Sequence, residues 1–238
     1  MNFTQRLKAG LWRAYGDPSS PAEWDGNAYG GGKLSQRFWE YHTALDLLDL
    51  SSDSVVLDIG GGSPVTGAGF FTRVIAPYVK EVHVMDVTVG ESKETPSNIV
   101  FHRVLASYET LSKLLQENPH LTHVACISVF EHIPHEVRCG MVKAVNDAFS
   151  GDRFVATLEF HSNVSYFEHQ LTTKTLSELF GCFTRFYPDV ISKSPFWCEN
   201  ALRGVDERWR FLRRKKEKPT EIPLWYPVAF RFRRAEGE

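Results

Sequence analysis

Residues 55–63, Val55-Val56-Leu57-Asp58-Ile59-Gly60-Gly61-Gly62-Ser63, join an apolar stretch directly to a run of three glycines. β-Branched residues followed by leucine and isoleucine are typical of a strand that is covered on both faces. Glycine has no side chain, so a turn built from it lets a ligand approach the backbone closely. A glycine cluster alone is a weak signal, because structural turns between a strand and a helix share this composition. The stretch predicts an α/β protein with a candidate nucleotide-like ligand at the turn.

Further apolar, β-branched runs alternate with helical segments along the chain. This alternation predicts a mostly parallel sheet covered by helices on both faces. We expect strands at 55–59, 82–86, 99–104, 123–128 and 154–160, with helices at 69–79, 107–117 and 136–149 between them. A helix at 172–181 and final strands at 183–191 and 225–233 complete the prediction.

The segment before the first strand has the pattern of a helical cap. Phe3, Leu7 and Leu11 recur every four residues, which predicts a short amphipathic helix over 1–15. A loop rich in glycine, proline and aspartate follows at 16–32, and 35–50 is predicted to be a second helix. We therefore expect a cap over 1–50 and a main domain over 51–238.

Length and composition favour one α/β domain. The chain has 238 residues, of which 42% are hydrophobic and 24% charged, and it contains no apolar run long enough to cross a membrane. Its first residues lack the pattern of a secretory signal, so we expect a cytoplasmic protein. The four cysteines, at positions 126, 139, 182 and 198, are never two residues apart. Unbridged thiols are therefore expected, with neither a zinc knuckle nor a redox pair.

The last 38 residues are basic although the chain as a whole has a formal net charge of −2. An insertion is expected at about 192–223, with a charged helix over 199–218. Within it, Arg208 to Lys218 interleaves basic and aromatic residues, which suits an anionic partner such as RNA, a charged glycan or anionic lipid at a membrane surface. A solvated helix whose aromatic side chains pack inward explains the pattern equally well. The oligomeric state stays open.

Polar residues follow three of the predicted strands at the edge where ligands of open α/β sheets bind. Asp58 lies at the end of the first strand, where a carboxylate would repel a pyrophosphate but could order backbone amides or pair with an ammonium group. Asp86 closes the second strand, where an acid can accept hydrogen bonds from ribose hydroxyls. Small, apolar and polar residues follow the fourth strand at 127–133.

These three segments, in this order, resemble the class I S-adenosylmethionine-dependent methyltransferases. The resemblance covers 53–160 well and implies a three-layer Rossmann-like fold, a seven-stranded mostly parallel sheet with a reversed edge hairpin, and S-adenosyl-L-methionine as cofactor. Asp58 and the glycines would line the methionine part, Asp86 would hold the ribose, and 128–130 would wall the site. The cofactor-binding residues that we expect are Asp58, Gly60, Gly61, Gly62, Asp86, Val87, Ala106, Ser107, Ser128 and Val129.

Two features depart from the family's pattern. The third glycine of the loop is displaced to Gly69 by residues 64–68, so the loop is predicted to bulge over the cofactor. The acid that often meets the adenine amino group is replaced by 105–107, so backbone groups or the Ser107 hydroxyl would have to serve. A nicotinamide-binding domain is the main rival, yet the glycine run lacks a third glycine at the offset that such a domain needs.

A fainter resemblance links 23–27 and 36–37, with 69–72, to bacterial polysaccharide chain-terminating methyltransferases. It implies that Tyr29 and Arg37 close over the cofactor and its carboxylate, and that the acceptor is a sugar hydroxyl or a sugar phosphate. An ordinary N-terminal cap with Trp24 in the core is the alternative.

Methyl transfer needs close alignment of the nucleophile, and a hydroxyl acceptor also needs a base. The preferred candidates for the base are His132 and His161, followed by Glu131; each could equally be a capping or loop residue. His132 and His135 are three residues apart, but no acidic cluster accompanies them, so no metal site is predicted.

We therefore expect O-methylation of a saccharide or another small polar metabolite. RNA methylation is the enzymatic alternative. A catalytically silent subunit that binds S-adenosylmethionine is the non-enzymatic one.

Overall fold

A computed structural model describes residues 2–15, 36–63, 67–90, 95–161, 171–193 and 225–235. Its α-helices in these ranges are α1 (Phe3–Tyr15), α2 (Gln36–Leu48), α3 (Phe70–Ile75), α4 (Tyr108–Glu117), α5 (His135–Ala148) and α6 (Thr173–Gly181). Its strands are β1 (Val55–Ile59), β2 (Gly62–Ser63), β3 (Gly67–Ala68), β4 (Glu81–Met85), β5 (Ile99–His102), β6 (His123–Ile127), β7 (Arg153–His161), β8 (Phe186–Lys193) and β9 (Trp225–Arg234).

Seven of these strands form one sheet in the order β5-β4-β1-β6-β7-β9-β8. Strands β5, β4, β1, β6 and β7 pair in parallel, whereas β9 runs antiparallel to both β7 and β8. Strand β1 lies inside the sheet between β4 and β6, and all five of its residues are buried. The prediction of a seven-stranded, mostly parallel sheet with a reversed strand near its edge is confirmed.

The sheet separates two apolar clusters because successive side chains of a strand point to opposite faces. Leu57 and Val124 lie in one cluster with residues of α4, α5 and α6. Val56 and Ala125 lie in the other with residues of α1, α2 and α3. The fold is therefore a three-layer sandwich with the sheet in the middle.

Helix α2 packs against β6, β7 and β9, and α1 packs against α2 and α3. Leu45 and Leu48 of α2 are fully inaccessible to solvent. The boundary at residue 50 between a cap and a main domain stays a prediction. The predicted loop at 16–32 and the charged helix at 199–218, with its basic segment 208–218, lie outside the described residues.

Two of the differences between predicted and observed element boundaries have local causes. The helix predicted over 69–79 ends at Ile75 and continues as a 3₁₀ turn over Ala76–Tyr78, because Pro77 has no N–H to donate within a longer helix. Strand β8 begins at Phe186 rather than at residue 183. Phe183 instead stacks on Phe232, with ring centroids 4.1 Å apart, and so anchors the turn after α6 in the core.

The prediction that all cysteines are unbridged is wrong for one pair. Cys139 of α5 and Cys182, which caps the end of α6, form a disulfide across Cα atoms 5.6 Å apart. The spacing rules consider only cysteines close in sequence, and these two lie 43 residues apart. Cys126 is a buried free thiol.

Within the described ranges, every helix is too short or too polar to cross a membrane.

Candidate functional site

The glycine turn after β1 is shaped by close contacts that leave no room for side chains. Gly60 has φ +74°, a backbone conformation that L-amino acids rarely adopt. A Cβ atom at Gly60 would lie 2.3 Å from Cγ2 of Val129 in the turn after β6. The turn after β1 is therefore packed directly against the turn after β6.

Asp58 is the acid beneath this turn, and it is only 2% exposed. The Thr72 hydroxyl of α3 donates a hydrogen bond of 2.6 Å to Oδ2 of Asp58. Burial raises the pKa of Asp58 to about 7, the Thr72 hydrogen bond opposes this shift, and the negative charge of Asp86 adds to it. Asp58 therefore titrates near neutral pH, and a positive charge placed beside it would stabilise its ionised form.

Asp86 directly follows β4 and is tied into the same turn. The Gly62 N–H donates to its Oδ2 atom at 3.3 Å, and the Thr88 N–H and hydroxyl both donate to Oδ1 at 2.8 Å. These bonds hold the carboxylate at the carboxyl edge of the sheet, one strand away from Asp58. The two acids predicted at the strand ends thus lie on either side of the glycine run.

The long loop after Gly62 folds back as a small hairpin, which was not predicted from the sequence. Strands β2 and β3 pair Gly62 with Ala68 and Ser63 with Gly67, and residues 64–66 lie outside the description. The chain then returns to the turn, where the Gly69 N–H donates to the Gly61 carbonyl. Gly69 therefore packs against the glycine run despite its displacement; whether the loop covers a ligand stays a prediction.

A cavity of about 190 Å³ opens at this turn. It is lined by Tyr41, Asp58, Gly60, Gly61, Gly62, Gly69, Phe70, Phe71 and Ile127. Pockets that enclose whole drug-sized molecules have volumes of roughly 300–1,000 Å³, so this cavity suits one part of such a ligand. The lining combines exposed backbone, aromatic rings and one carboxylate.

Ser128, at the end of β6, is held in a strained conformation with φ +50°. Its hydroxyl donates to Oε1 of Glu40 at 2.5 Å, and the Thr157 hydroxyl donates to the same oxygen at 3.2 Å. The Ser128 backbone N–H donates to the Thr157 carbonyl at 2.9 Å. Glu40 is fully buried, so helix α2 fixes the ends of β6 and β7 from inside.

The structure gives less direct support for the residues predicted to contact the adenine. Ser107 is the N-cap of α4 and forms a capping box with Thr110, so its hydroxyl already serves the helix. Ala106 is partly buried against the core, and Val87, just after Asp86, is 50% exposed. Their contact with a cofactor stays a prediction. The Ser107 N–H and the Leu105 carbonyl are both bonded to the Thr110 hydroxyl, and the Ser107 carbonyl accepts from Leu111.

Two of the three candidates for the base, Glu131 and His132, are neighbours in the turn after β6. Glu131 is buried, and its charge favours the protonated form of the largely buried Arg138, which points to a role inside the fold. His132 is exposed in the short 3₁₀ turn Phe130–His132. Neither Glu131 nor His132 is among the residues that line the cavity. His161 ends β7, and its side chain lies outside the description, as does that of Arg37 in α2.

Sequence analysis missed five side chains of this site. They are Glu40 and Tyr41 of α2, and Phe70, Phe71 and Thr72 of α3. Tyr41 packs on Phe70 and Phe71 at centroid distances of 5.7 and 5.6 Å. No signal in the sequence singled out Glu40, because α2 also contains Arg37, His42 and a second acid, Asp46.

No protein-family profile matches the sequence, and no curated protein matches it. Solved structures do resemble the fold. One is geranyl diphosphate C-methyltransferase from Streptomyces coelicolor A3(2), solved in complex with Mg²⁺, geranyl-S-thiolodiphosphate and S-adenosyl-L-homocysteine. Its sequence is 12% identical to this one, the TM-score is 0.58, and the match covers 94% of this chain and 84% of that chain. A S-adenosylmethionine-dependent methyltransferase from Anabaena variabilis is 14% identical with a TM-score of 0.52, covering 99% and 96%. The YcgJ protein from Bacillus subtilis is 13% identical with a TM-score of 0.54, covering 84% and 99%.

The chain therefore has the Rossmann-like fold of class I S-adenosylmethionine-dependent methyltransferases, as the sequence predicted. The fainter resemblance to polysaccharide chain-terminating enzymes depends chiefly on 23–27, outside the described residues, and stays a prediction.

Proposed function

We propose that this protein is a methyltransferase that binds S-adenosyl-L-methionine at the turn after β1. The observation that carries the proposal is the pair of carboxylates, Asp58 and Asp86, on either side of a glycine run without room for side chains. A Cβ atom at Gly61 would lie 2.2 Å from Oδ2 of Asp58, and one at Gly62 would lie 2.7 Å from Cγ of Asp86. The glycine run and the two carboxylates thus form an acidic cradle that is lined by backbone atoms.

An acidic cradle favours a cationic ligand over a phosphorylated one. The ionised form of Asp58 is disfavoured by burial and by Asp86. A ligand that carries an ammonium or sulfonium charge would relieve both effects, whereas a pyrophosphate would add repulsion. This argues against a dinucleotide cofactor on electrostatic grounds. It agrees with the sequence, which has Val65 where the dinucleotide-binding motif needs its third glycine.

The residues fit such a cofactor in the following roles. When bound, S-adenosylmethionine supplies an electrophilic methyl group. Asp58 and the backbone of 60–62 would hold its methionine part. Asp86 would accept a hydrogen bond from the ribose at Oδ2, since Thr88 already donates twice to Oδ1 and Gly62 only once to Oδ2. Ser128 and Val129 would wall the site from β6.

We propose an oxygen acceptor on a saccharide or another small polar metabolite. A hydroxyl must lose its proton during transfer, and a positioned base contributes roughly 10²-fold to 10⁴-fold. His132 is exposed after β6 and His161 ends β7, so either is a candidate if it turns toward the acceptor. Single-turnover methylation by His132→Ala and His161→Ala tests this; wild-type rates in both variants would exclude a histidine base.

Calorimetric titration of the full chain with S-adenosyl-L-homocysteine tests cofactor binding. Charge-assisted hydrogen bonds contribute about 1.5–3 kcal/mol, so Asp86→Ala should weaken binding at least tenfold. Asp53→Ala, which removes an exposed acid just before β1 at the opposite end of that strand from the turn, is the matched control and should keep wild-type affinity. No binding by wild type, or equal binding by Asp86→Ala in a folded state, would overturn the proposal.

Transfer of a labelled methyl group to saccharides, small metabolites or RNA then identifies the acceptor class. Methylation of RNA alone would replace the small-molecule acceptor. Tight binding without transfer to any of these classes would instead favour a silent subunit.

A further inference from the structure

A second cluster of polar side chains lies at the opposite end of β4 from Asp86. Glu81 is the first residue of this strand, and His83 follows on the same face. His120, in the loop between α4 and β6, joins them from outside the sheet. One ligand atom from each of the three residues can be chosen so that all lie within 4.8 Å of one another.

We propose that Glu81, His83 and His120 bind one divalent transition-metal ion of the zinc type. Two imidazoles and one carboxylate form a donor set that suits Zn²⁺, Co²⁺ or Ni²⁺ rather than Mg²⁺ or Ca²⁺, which prefer oxygen ligands. The sequence analysis predicted no metal because it weighed only histidines that are close together in sequence. The three donors here come from a strand and from a loop 37 residues further along the chain.

Two of the three distances between donor atoms can be compared with those of a tetrahedral zinc site. Ligands about 2.0–2.1 Å from a tetrahedral zinc ion lie about 3.3–3.4 Å from one another. Nε2 of His120 lies 3.3 Å from Oε1 of Glu81. Nε2 of His83 lies 2.6 Å from the same oxygen, a hydrogen-bond distance that would lengthen by roughly 0.7 Å on metal binding.

His102 of β5 provides the hydrogen-bond partner that metal-binding histidines usually have. Its Nε2 atom lies 2.9 Å from Nδ1 of His83, and the two rings are inclined by only 14°. A neutral His83 can donate from Nδ1 to Nε2 of His102 while its own Nε2 atom binds the metal. Each of the two rings then carries its proton on Nδ1.

Burial and access also fit a metal site. The His83 side chain is only 3% exposed, so one donor is fixed within the fold. The Glu81 and His120 side chains are 32% and 52% exposed, which leaves a path from solvent. Three protein ligands would leave the fourth position of a tetrahedral ion to water. The ion would tie the loop before β6 to the amino end of β4.

The metal would act on stability and not on methyl transfer. Glu81 and Asp86 are five residues apart on an extended strand, about 16 Å at 3.3 Å per residue. The titration with S-adenosylhomocysteine should therefore give the same affinity with and without zinc. This separates the two proposals, since either can fail alone.

Calorimetric titration with ZnCl₂ tests the site on the full chain after removal of metals by a chelator. We expect one ion per chain with a Kd below 10 μM at pH 7.5. His120→Ala and Glu81→Gln, which alter exposed ligands, should each weaken binding at least tenfold. His102→Gln should weaken it roughly 10-fold to 100-fold, the usual effect of removing such a partner.

Two variants control for general effects of losing a histidine or an acid. His42→Ala in α2 and Glu178→Gln in α6 lie on helices away from the cluster and should bind zinc within twofold of wild type. Zinc should also raise the melting temperature of wild type but not of His120→Ala, because binding to the native state stabilises it. A Kd above 1 mM, or equal binding by wild type, His120→Ala and Glu81→Gln, would overturn the site.

Discussion

Gly61 is the residue of the turn where an added methyl group would meet the acid itself. That methyl would lie 2.2 Å from Oδ2 of Asp58, the atom that accepts the Thr72 hydrogen bond. Gly61→Ala should displace Asp58 from this bond and weaken binding of S-adenosyl-L-homocysteine at least tenfold, as measured by calorimetry.

Gly181→Ala is the matched control for this substitution. An added Cβ at Gly181, the last residue of α6, has no neighbour within 4 Å. The variant should keep the affinity of wild type. Equal affinities for both alanine variants would show that binding of S-adenosyl-L-homocysteine does not depend on the turn after β1.

The acids and glycines of the site were predictable because they lie at the ends of apolar strands. The two acids, Asp58 and Asp86, occupy the predicted edge of the sheet on either side of the glycine run. Thr72 and Glu40 were not predictable, because their contacts with Asp58 and Ser128 span 14 and 88 residues. A hydrogen bond across such separations leaves no periodic pattern in a sequence.

At the scale of elements, local chemistry located the helices well. Ser107 and Thr172 begin α4 and α6 with capping boxes, so these helix starts agree with the prediction to within one residue. The hairpin of β2 and β3 was missed because two-residue strands carry too little pattern. The disulfide was missed because it depends on how α5 and α6 pack.

The disulfide between Cys139 and Cys182 should stabilise the pairing of α5 with α6. It closes a loop across a sequence separation of 43, for which bridges typically contribute about 2–4 kcal/mol. The double variant Cys139→Ser/Cys182→Ser should lower the free energy of unfolding by this amount in urea titrations.

Reductant provides the control for this prediction. It should destabilise the wild type to the same extent and leave the double variant unchanged, since Cys126 is an unbridged thiol in both. If reductant leaves the wild type as stable as before, the two cysteines do not form a stabilising bridge in solution.

For the molecule as a whole, the seven-stranded, mostly parallel sheet with a reversed edge hairpin followed from the family resemblance. The loop at 16–32 and the charged helix over 199–218 lie outside the described residues and stay predictions. Whole-molecule stability depends on further quantities that a sequence does not reveal, above all which titratable groups become buried. Two such groups act in opposite directions between pH 4 and pH 7.

Asp58 should make the protein less stable as pH rises. Its pKa is raised from 3.8 to about 7 by burial, so the native state binds a proton that the unfolded state has released over this range. Linkage then requires the free energy of unfolding to fall as pH increases, by at most about 1.4 kcal/mol per pH unit. The effect is complete above about pH 7.

His123, at the start of β6, should have the opposite effect. Burial, and then the charge of Arg153, lower its pKa from 6.5 to about 4, so between these values the unfolded state binds the extra proton. Stability therefore rises with pH through this window and is lost as pH falls towards 4. In wild type the two slopes oppose each other between pH 4 and pH 6.5.

Removing one group should uncover the slope of the other. Asp58→Asn keeps an oxygen that accepts from Thr72, and its stability relative to wild type should increase as pH rises from 5 to 7. His123→Gln should show the reverse, with the largest relative gain at the acidic end. Urea titrations at pH 5, 6 and 7 measure both differences. His42 and His102, whose pKa values are also lowered by burial, remain in every variant, so their contribution cancels in these differences. If the difference between Asp58→Asn and wild type is the same at all three pH values, Asp58 is not a buried acid that titrates near neutrality, and the electrostatic argument for a cationic ligand at the turn fails with it.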